Sequence, residues 1–503
     1  MKDNKDAAGG LSGFIERYYP FFLIAVLALG CFNLFYCLKQ TPIYSWDEAR
    51  HGVSAYEMLK RHEYIVNTYG YKNDYWNLKP PLSFWAIMLG YRIAGFNTLG
   101  LRLFSAVAAL LTIIVSSLFV KHKHGAAASM ITGLVLATSP KYIVIHNART
   151  GDADSLFVFF FTAAVLSMLM SERNIHWLYI GGFFFSLAFL TKSWHAGNIA
   201  LIMFFYLLLT GKISRLKPGE WAKLAASSTL LIIIWVSLRY YKDGFTFFNA
   251  MLHYDLFTRT ATTLEGHIGD RLFYYKVLTS YYSAWLLLLG LSMITSIILY
   301  RKTILGKVRG EQWKYAMGMF LWIALPFALF TAAKTKIGWY ILPLYPPLAI
   351  CTGAFCGALF SGPKRNIFIQ IMLIFLIAVG TVRYETIIGK HILIFKNESK
   401  RVSFQYFKPD IDIGSHKAYI SYIRPYTKFG PKSELKDWEQ SDLLSAELYW
   451  DILPMDGGLS GFLKEESRNA VLIMPKDEIT EYIAEKYGFR IIGRSNSIYI
   501  LGK

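Results

Sequence analysis

Eleven stretches of this chain run nearly without charge: residues 21–38, 103–120, 126–145, 155–170, 178–190, 196–210, 224–240, 284–300, 316–332, 340–360 and 366–382. A helix rising 1.5 Å per residue needs roughly 20 residues to cross a ~30 Å hydrocarbon core. Several stretches are shorter than that, so the pattern predicts about eleven transmembrane helices, open by one or two. The first lacks the short apolar core and small-residue cleavage site of a signal peptide and reads as a retained span.

Two helices are expected in the loop after the first span. One starts at Ser45-Trp46-Asp47-Glu48, a capping-box pattern with Ser45 as N-cap and Glu48 three residues on, and runs to about Lys60. The other follows Pro80-Pro81 as LSFWAIMLGYRIAG. It is apolar but too short to span, which predicts an interfacial or re-entrant helix. The pattern changes near residue 384. Residues 1–383 read as a membrane domain and 384–503 as a small extracytoplasmic α/β domain. In its end, 470–475 (AVLIMP) reads as a buried strand, 476–488 as a helix stopping at Gly488, and FRIIGRS and SIYILGK as a strand pair. The fold class is therefore mainly α, a polytopic membrane protein with a small α/β appendage.

Lys and Arg set the orientation. With the N-terminus in the cytoplasm, the inside segments are 1–18, KHKHG at 121–125, 171–176, GKISRLKPGEWAK at 211–223, 301–314 and SGPKR at 361–365, and nearly all are basic. The site side and the C-terminal domain then lie outside a cytoplasmic membrane. Composition agrees: 54% of residues are hydrophobic. The net charge of +19 reads mostly as topogenic Lys and Arg beside anionic headgroups, and no groove-reading element points to nucleic acid. The four cysteines, Cys31, Cys37, Cys351 and Cys356, fall in predicted spans and read as packing residues.

In this topology the notable acids and bases collect on the outer side: Asp47, Glu48, Arg50 and His51; Lys79; Arg149, Asp152 and Asp154; Lys192 and His195; His253, Arg259, Glu265 and His267; Lys334 and Lys336. Charge near membrane depth is costly, so such groups line a cavity or pair with one another. Asp47 and Glu48 are the catalytic candidates. A carboxylate there can take the proton of an attacking hydroxyl, although acids in a first helical turn also complement the helix dipole, and Glu48 holds the box position. Lys79, Arg149 and Lys336 are candidates for clamping a phosphate leaving group, with snorkelling to headgroups as the plainer reading of each. His253, Glu265 and His267 are open between metal ligation, proton transfer, acceptor contact and loop structure. No close metal-binding spacing is present, so the residues make no cofactor certain, and a divalent metal with His267 and Glu265 as candidates stays open. Tyr274, Tyr275 and Trp339 are aromatic candidates for a sugar site.

Six segments carry a resemblance in order: SWDEARHGVSAYEML, YWNLKPPLSFW, ARTGDADSLFVFF, LAFLTKSWHAG, HYDLFTRTATTLEGHIGDRLFYY and KTKIGWYILPLYPPLAI. Over roughly residues 20–350 the chain resembles the GT-C glycosyltransferases of the aminoarabinose lipid A transferase and protein O-mannosyltransferase type. The resemblance implies an inverting enzyme that takes a monosaccharide from a polyprenyl-phosphate carrier, undecaprenyl phosphate in bacteria, outside the cytoplasm. It implies Asp47 as base, Lys79 on the carrier phosphate, Arg149 and Asp154 as the second outer loop's basic and acidic pair, and Lys336 with Tyr340 as the late Lys and Tyr-x-x-Pro element. Lys192, His253, Arg259 and His267 join Asp154 and Tyr340 as substrate-binding candidates. Two positions depart from the pattern: Leu78 stands where aminoarabinose transferases often carry Glu, and Thr191-Lys192-Ser193 where Thr-Lys-Gly is frequent. The expected partners are the lipid bilayer, a polyprenyl-phosphate-sugar donor and a lipid A, glycan or protein acceptor. A lipid or sugar transporter and a surface-polysaccharide ligase or polymerase are the alternatives.

Overall fold

The eleven apolar stretches are mainly helical in the computed structural model, 126–145 being broken into Ala126–Ala137 and the short helical turn Pro140–Ile143; the structure describes residues 11–258, 261–263, 266–306, 310–362, 364, 366–398, 412–424, 434–495 and 497–503. Seven helical segments are long and apolar enough to cross a membrane: Tyr19–Gln40, Thr98–His124, Pro218–Asp243, Phe273–Tyr300, Glu311–Ala332, Leu342–Ser361 and Ile367–Leu393. The other four stretches fall on Ala126–Ala137, Asp154–Met170, His176–Lys192 and Gly197–Leu209, of 12, 17, 17 and 13 residues. Eleven full crossings therefore do not follow from helix length. Arg259 and Glu265 lie outside the described residues.

Helix packing uses small residues where chains approach closely. Gly353 and Gly357 form a GxxxG pair on the helix Tyr345–Ser361, against the helix Ala126–Ala137. A Cβ on Gly353 would lie 2.4 Å from the Ala128 carbonyl oxygen, and one on Gly357 would lie 2.6 Å from the Ala128 Cβ. No side chain fits either gap, which is why this crossing needs glycine.

The helix Ile367–Glu398 runs straight through the expected domain boundary at 383/384, and the separate sheet begins only at Lys417. That sheet has five strands in the order Glu434–Asp437, Lys417–Arg424, Ala470–Pro475, Ile498–Gly502, Arg490–Arg494. Ala470–Pro475 is the buried central strand read from AVLIMP, and it pairs parallel to Lys417–Arg424 and antiparallel to Ile498–Gly502. The helix Glu478–Tyr487 stops at Gly488, which takes φ 69° as a left-handed cap.

The sheet domain docks on the first-loop helix Asp47–Lys60 through the helix Gln440–Trp450. Leu443, Leu444 and Leu448 pack with Ala49, Val53 and Tyr56. Gly52 allows the approach, since a Cβ there would meet Leu444 Cδ2 at 2.4 Å. The same contact overturns the expected capping box. Ser45 Oγ donates to Glu439 Oε2 at 2.8 Å and lies 2.8 Å from Ser441 Oγ, so the helix N-cap falls on Trp46 with no side-chain cap. Glu48 Oε2 instead accepts from the Tyr44 amide at 2.8 Å. Local pattern favoured a box, but the partner helix offered Ser45 a charged acceptor.

Candidate active site

Two chambers meet at Asp47. The narrower one, ≈ 70 Å³, is polar and includes Asp47, His51, Lys79, Asp154, Lys192 and Asp255. The wider one, ≈ 820 Å³, has apolar and aromatic walls that include Trp46, Val144, Ile145, His146 and His391. Asp47, Trp76, Asp152, His267 and Trp339 belong to both. The larger volume lies in the range typical of small-molecule sites.

Asp47 opens the first-loop helix. Burial pushes its carboxyl up, but His146, Lys79, His51 and Lys192 outweigh that and hold it below the ordinary value, so it is a carboxylate at neutral pH. Asp152 goes the other way. It is fully buried, and desolvation together with the Asp47 charge raises it. Between them stands His146, whose Nε2 is 3.7 Å from Asp47 Oδ2 and whose Nδ1 is 3.5 Å from Asp152 Oδ2. The imidazole lies flat on Trp339, 3.6 Å between ring centres with 6° between planes. Each of Asp47, His146 and Asp152 offers a ligand atom within 4.8 Å of the others, the one such group among the described residues that could hold a metal ion. His51 is buried and pushed down to about 4 by desolvation; its Nδ1 sits 2.6 Å from the Asp47 carbonyl oxygen, which fixes the neutral ring as the donor there.

Among the expected cations, Lys79 lines the polar chamber and has no hydrogen bond or ion pair among the described residues. It comes from the segment between Asp74, whose carboxylate grips Arg50 with two 3.0 Å hydrogen bonds, and the helix Leu82–Ala94. The Arg50 guanidinium is sandwiched by Tyr69 at 4.2 Å and Trp76 at 4.3 Å, which fixes the Trp76 ring in the chamber wall. Lys192 also lines the chamber but closes an ion pair with Asp154, both side chains buried. Tyr340 stands over this pair, its ring 5.5 Å from Lys192 Nζ and 4.6 Å from the His195 ring.

Arg149 and Lys336, expected at a donor phosphate, lie outside both chambers. Arg149 donates to the carbonyls of Asn33, Leu34 and Tyr36 at 2.9, 3.0 and 2.9 Å, which closes the C-terminus of the first membrane helix. Lys336 Nζ donates to the carbonyls of Phe330, Thr331 and Ala333 at the end of the helix Glu311–Ala332. The last carbonyls of a helix have no intrahelical donors and carry the negative end of its dipole, so a nearby cation is drawn to them.

Glu48, the second catalytic candidate, is equally committed. It binds Arg102 through Nε–Oε1 at 2.6 Å and Nη2–Oε2 at 2.8 Å, and its Oε1 also accepts from the Gly151 amide at 2.8 Å. With 1% exposure it braces the helix internally, although it also lies in the wall of the wider chamber. His267 lines both chambers. His253 does not: it is exposed on the π-helix Met251–Thr258, and the same segment instead presents Asp255, which accepts from Ser193 Oγ at 3.4 Å. Sequence reasoning missed Asp255, His146 and Trp46. The i→i+5 winding displaces register from ordinary helical spacing, and nothing in the chain's periodicity marks it.

Trp46 takes φ 70° and ψ −118°, a turn conformation suited to glycine, at a strain of order 1–3 kcal/mol for other residues. The residue is 59% exposed, lines the wider chamber, and its ring is 6.2 Å from the Trp76 ring.

Residues 78–239 match the family described as dolichyl-phosphate-mannose-protein mannosyltransferase. An Aquifex aeolicus protein without an assigned activity is 28% identical over 345 residues, covering 67% of this chain and 63% of its own length. The undecaprenyl phosphate-alpha-4-amino-4-deoxy-L-arabinose arabinosyl transferase 2 of Pseudomonas fluorescens is 24% identical over 368 residues, 70% of this chain and 60% of that protein. The chain thus matches about three fifths of these relatives' lengths. The crystal structure of ArnT from Cupriavidus metallidurans bound to undecaprenyl phosphate superposes with a TM-score of 0.65 at 15% identity, covering 98% of both chains. The chain thus has the fold of that ArnT structure over nearly its whole length.

Proposed function

We propose that this chain is an inverting glycosyltransferase that moves a monosaccharide from a polyprenyl-phosphate carrier to a lipid A, glycan or protein acceptor at the outer side of the cytoplasmic membrane. The observation that carries the reading is Asp47, an ionised carboxylate, in one polar chamber with Lys79, a cation with no hydrogen bond or ion pair among the described residues. The relatives named for an undecaprenyl-phosphate-linked sugar, and the fold shared with a structure holding undecaprenyl phosphate, support the donor class.

In the reaction, the acceptor hydroxyl enters the wider chamber and gives its proton to Asp47 as its oxygen attacks the anomeric carbon. The bond from that carbon to the phosphate oxygen breaks, its electron pair leaves with the phosphate, and configuration inverts. Lys79 stabilises the departing anion. The Lys192–Asp154 pair, Tyr340 and His267 line the same space and serve sugar binding. A divalent cation, if held by Asp47, His146 and Asp152, would add positive charge beside the reacting carbon. The basic segments at the far ends of the long helices support a cytoplasmic N-terminus and an external chamber.

Purified protein given undecaprenyl-phosphate-linked sugars and a lipid A acceptor tests this. Asp47→Asn is expected to abolish transfer while purifying as a folded protein. Unchanged transfer by that variant refutes the role of Asp47 and with it this reading.

A further inference from the structure

We infer that Trp46 is a stacking surface for the apolar face of a sugar ring and sets which sugar the site accepts; this rests on the glycosyl-transfer reading above. Three observations converge. First, the indole and Asp47 both line the ≈ 820 Å³ chamber, so a ring lying on the indole shares that space with the reacting carboxylate. Second, it is one of three tryptophans lining this chamber, with Trp76 and Trp339; its ring is 6.2 Å from that of Trp76 and inclined to it by 42°, and Trp76 is itself pinned against Arg50. The chamber therefore joins flat aromatic walls to Asp47, Asp152 and His146. A sugar ring, with C–H groups on one face and hydroxyls at its edge, needs that combination. A tryptophan serving only as an interfacial anchor would turn to lipid and away from buried acids.

Third, the backbone holds Trp46 where glycine is favoured, and the holding is done from outside the loop. Ser45, the preceding residue, is fastened to Glu439 and Ser441 of the sheet domain. The helix beginning at Asp47 is fastened to the body by the Glu48–Arg102 pair. Between these two anchors the chain turns through φ 70°, and the residue held in that turn lines the chamber. A bulky residue kept in such a turn marks a side chain with a task. It also ties the placing of this ring to the sheet domain.

Glycine separates the two roles Trp46 can have, because it removes the ring and relieves the turn together. Trp46→Gly and Trp46→Phe are compared with the wild-type chain in detergent by melting temperature, by affinity for undecaprenyl phosphate bare or carrying 4-amino-4-deoxy-L-arabinose, glucose or mannose, and by KM for lipid A. Trp46→Gly is expected to melt no lower than the wild type. It should either lose about tenfold in the affinity gained from the carrier's sugar, which assigns the ring to the donor, or raise the acceptor KM about tenfold with donor binding intact, which assigns it to the acceptor. Trp46→Phe should stay within about threefold of the wild type. A lower melting temperature for Trp46→Gly, or sugar-dependent affinity and acceptor KM both unchanged, overturns the inference. Donor affinity is read without turnover, so a Trp46 failure is distinct from failure of the glycosyl-transfer reading, which Asp47→Asn decides.

Discussion

Asp47 and Glu48 are adjacent in the chain, and their carboxylates face different surroundings: Glu48 closes on the buried Arg102 guanidinium at 2.6 and 2.8 Å, while Asp47 faces the junction of two chambers with His146 3.7 Å away. One helical step of about 100° separates them, enough to send one acid into the protein and the other into the site.

Their substitutions should therefore fail in different ways. Asp47→Asn is expected to lower kcat by at least about 100-fold with little change in melting temperature, since a general base is lost and no buried bond is broken. Glu48→Gln leaves Arg102 buried with an incomplete partner. It is expected to cost about 3–5 kcal/mol of stability, read as a fall in melting temperature and in yield of monodisperse protein.

The cations divide likewise. Lys79→Met should weaken binding of undecaprenyl phosphate at least about tenfold and leave the melting temperature nearly unchanged, because Lys79 lines the chamber and has no hydrogen bond or ion pair among the described residues. Arg149→Met and Lys336→Met should lower the melting temperature, because each strips donors from a helix C-terminus. Equilibrium binding of the bare carrier, measured beside thermal unfolding, separates the two classes.

Glu57 and Glu447 oppose each other where the sheet domain meets the first-loop helix, both buried. Burial, then the charge of the other, raises Glu447 well above the usual carboxylate range, and burial raises Glu57. The folded chain therefore holds protons that the unfolded chain has released above about pH 4.5. Stability contributed by this pair is complete in acid and is lost as pH rises through the raised values. Glu447→Gln is expected to raise the melting temperature by about 2–4 °C at pH 8 and to leave it nearly unchanged at pH 4.5, as differential scanning fluorimetry across that range would show.

Gly52 sets how closely the sheet domain can sit. Gly52→Val places methyl groups where Leu444 already lies, 2.4 Å from the first added carbon. It should cost about 1–3 kcal/mol and loosen the sheet domain on the helix Asp47–Lys60, so that limited proteolysis yields a fragment pattern absent from the wild-type chain.

The sequence by itself determined the helices, because apolar runs have no other way to satisfy their backbone in lipid. It also determined the strand–helix–strand end of the sheet domain, and the loops that carry the acids and bases. Asp47, Lys79, Asp154, Lys192, His267 and Tyr340 were legible from residue type and from the segments that resemble a known family, and all six line the chambers. What each charge does was not legible. Arg149 and Lys336 look from sequence like Lys79, and only the tertiary structure gives them helix ends to close. Glu48 looks like a second catalytic acid until Arg102, 54 positions away, comes to meet it. Ser45 reads as a cap until Glu439, 394 positions away, claims its hydroxyl. Local sequence sets helix, turn and polarity; the partner of a charged or hydroxyl group is chosen by whatever the fold brings within about 3 Å, and that choice decides whether the group binds substrate or binds the protein.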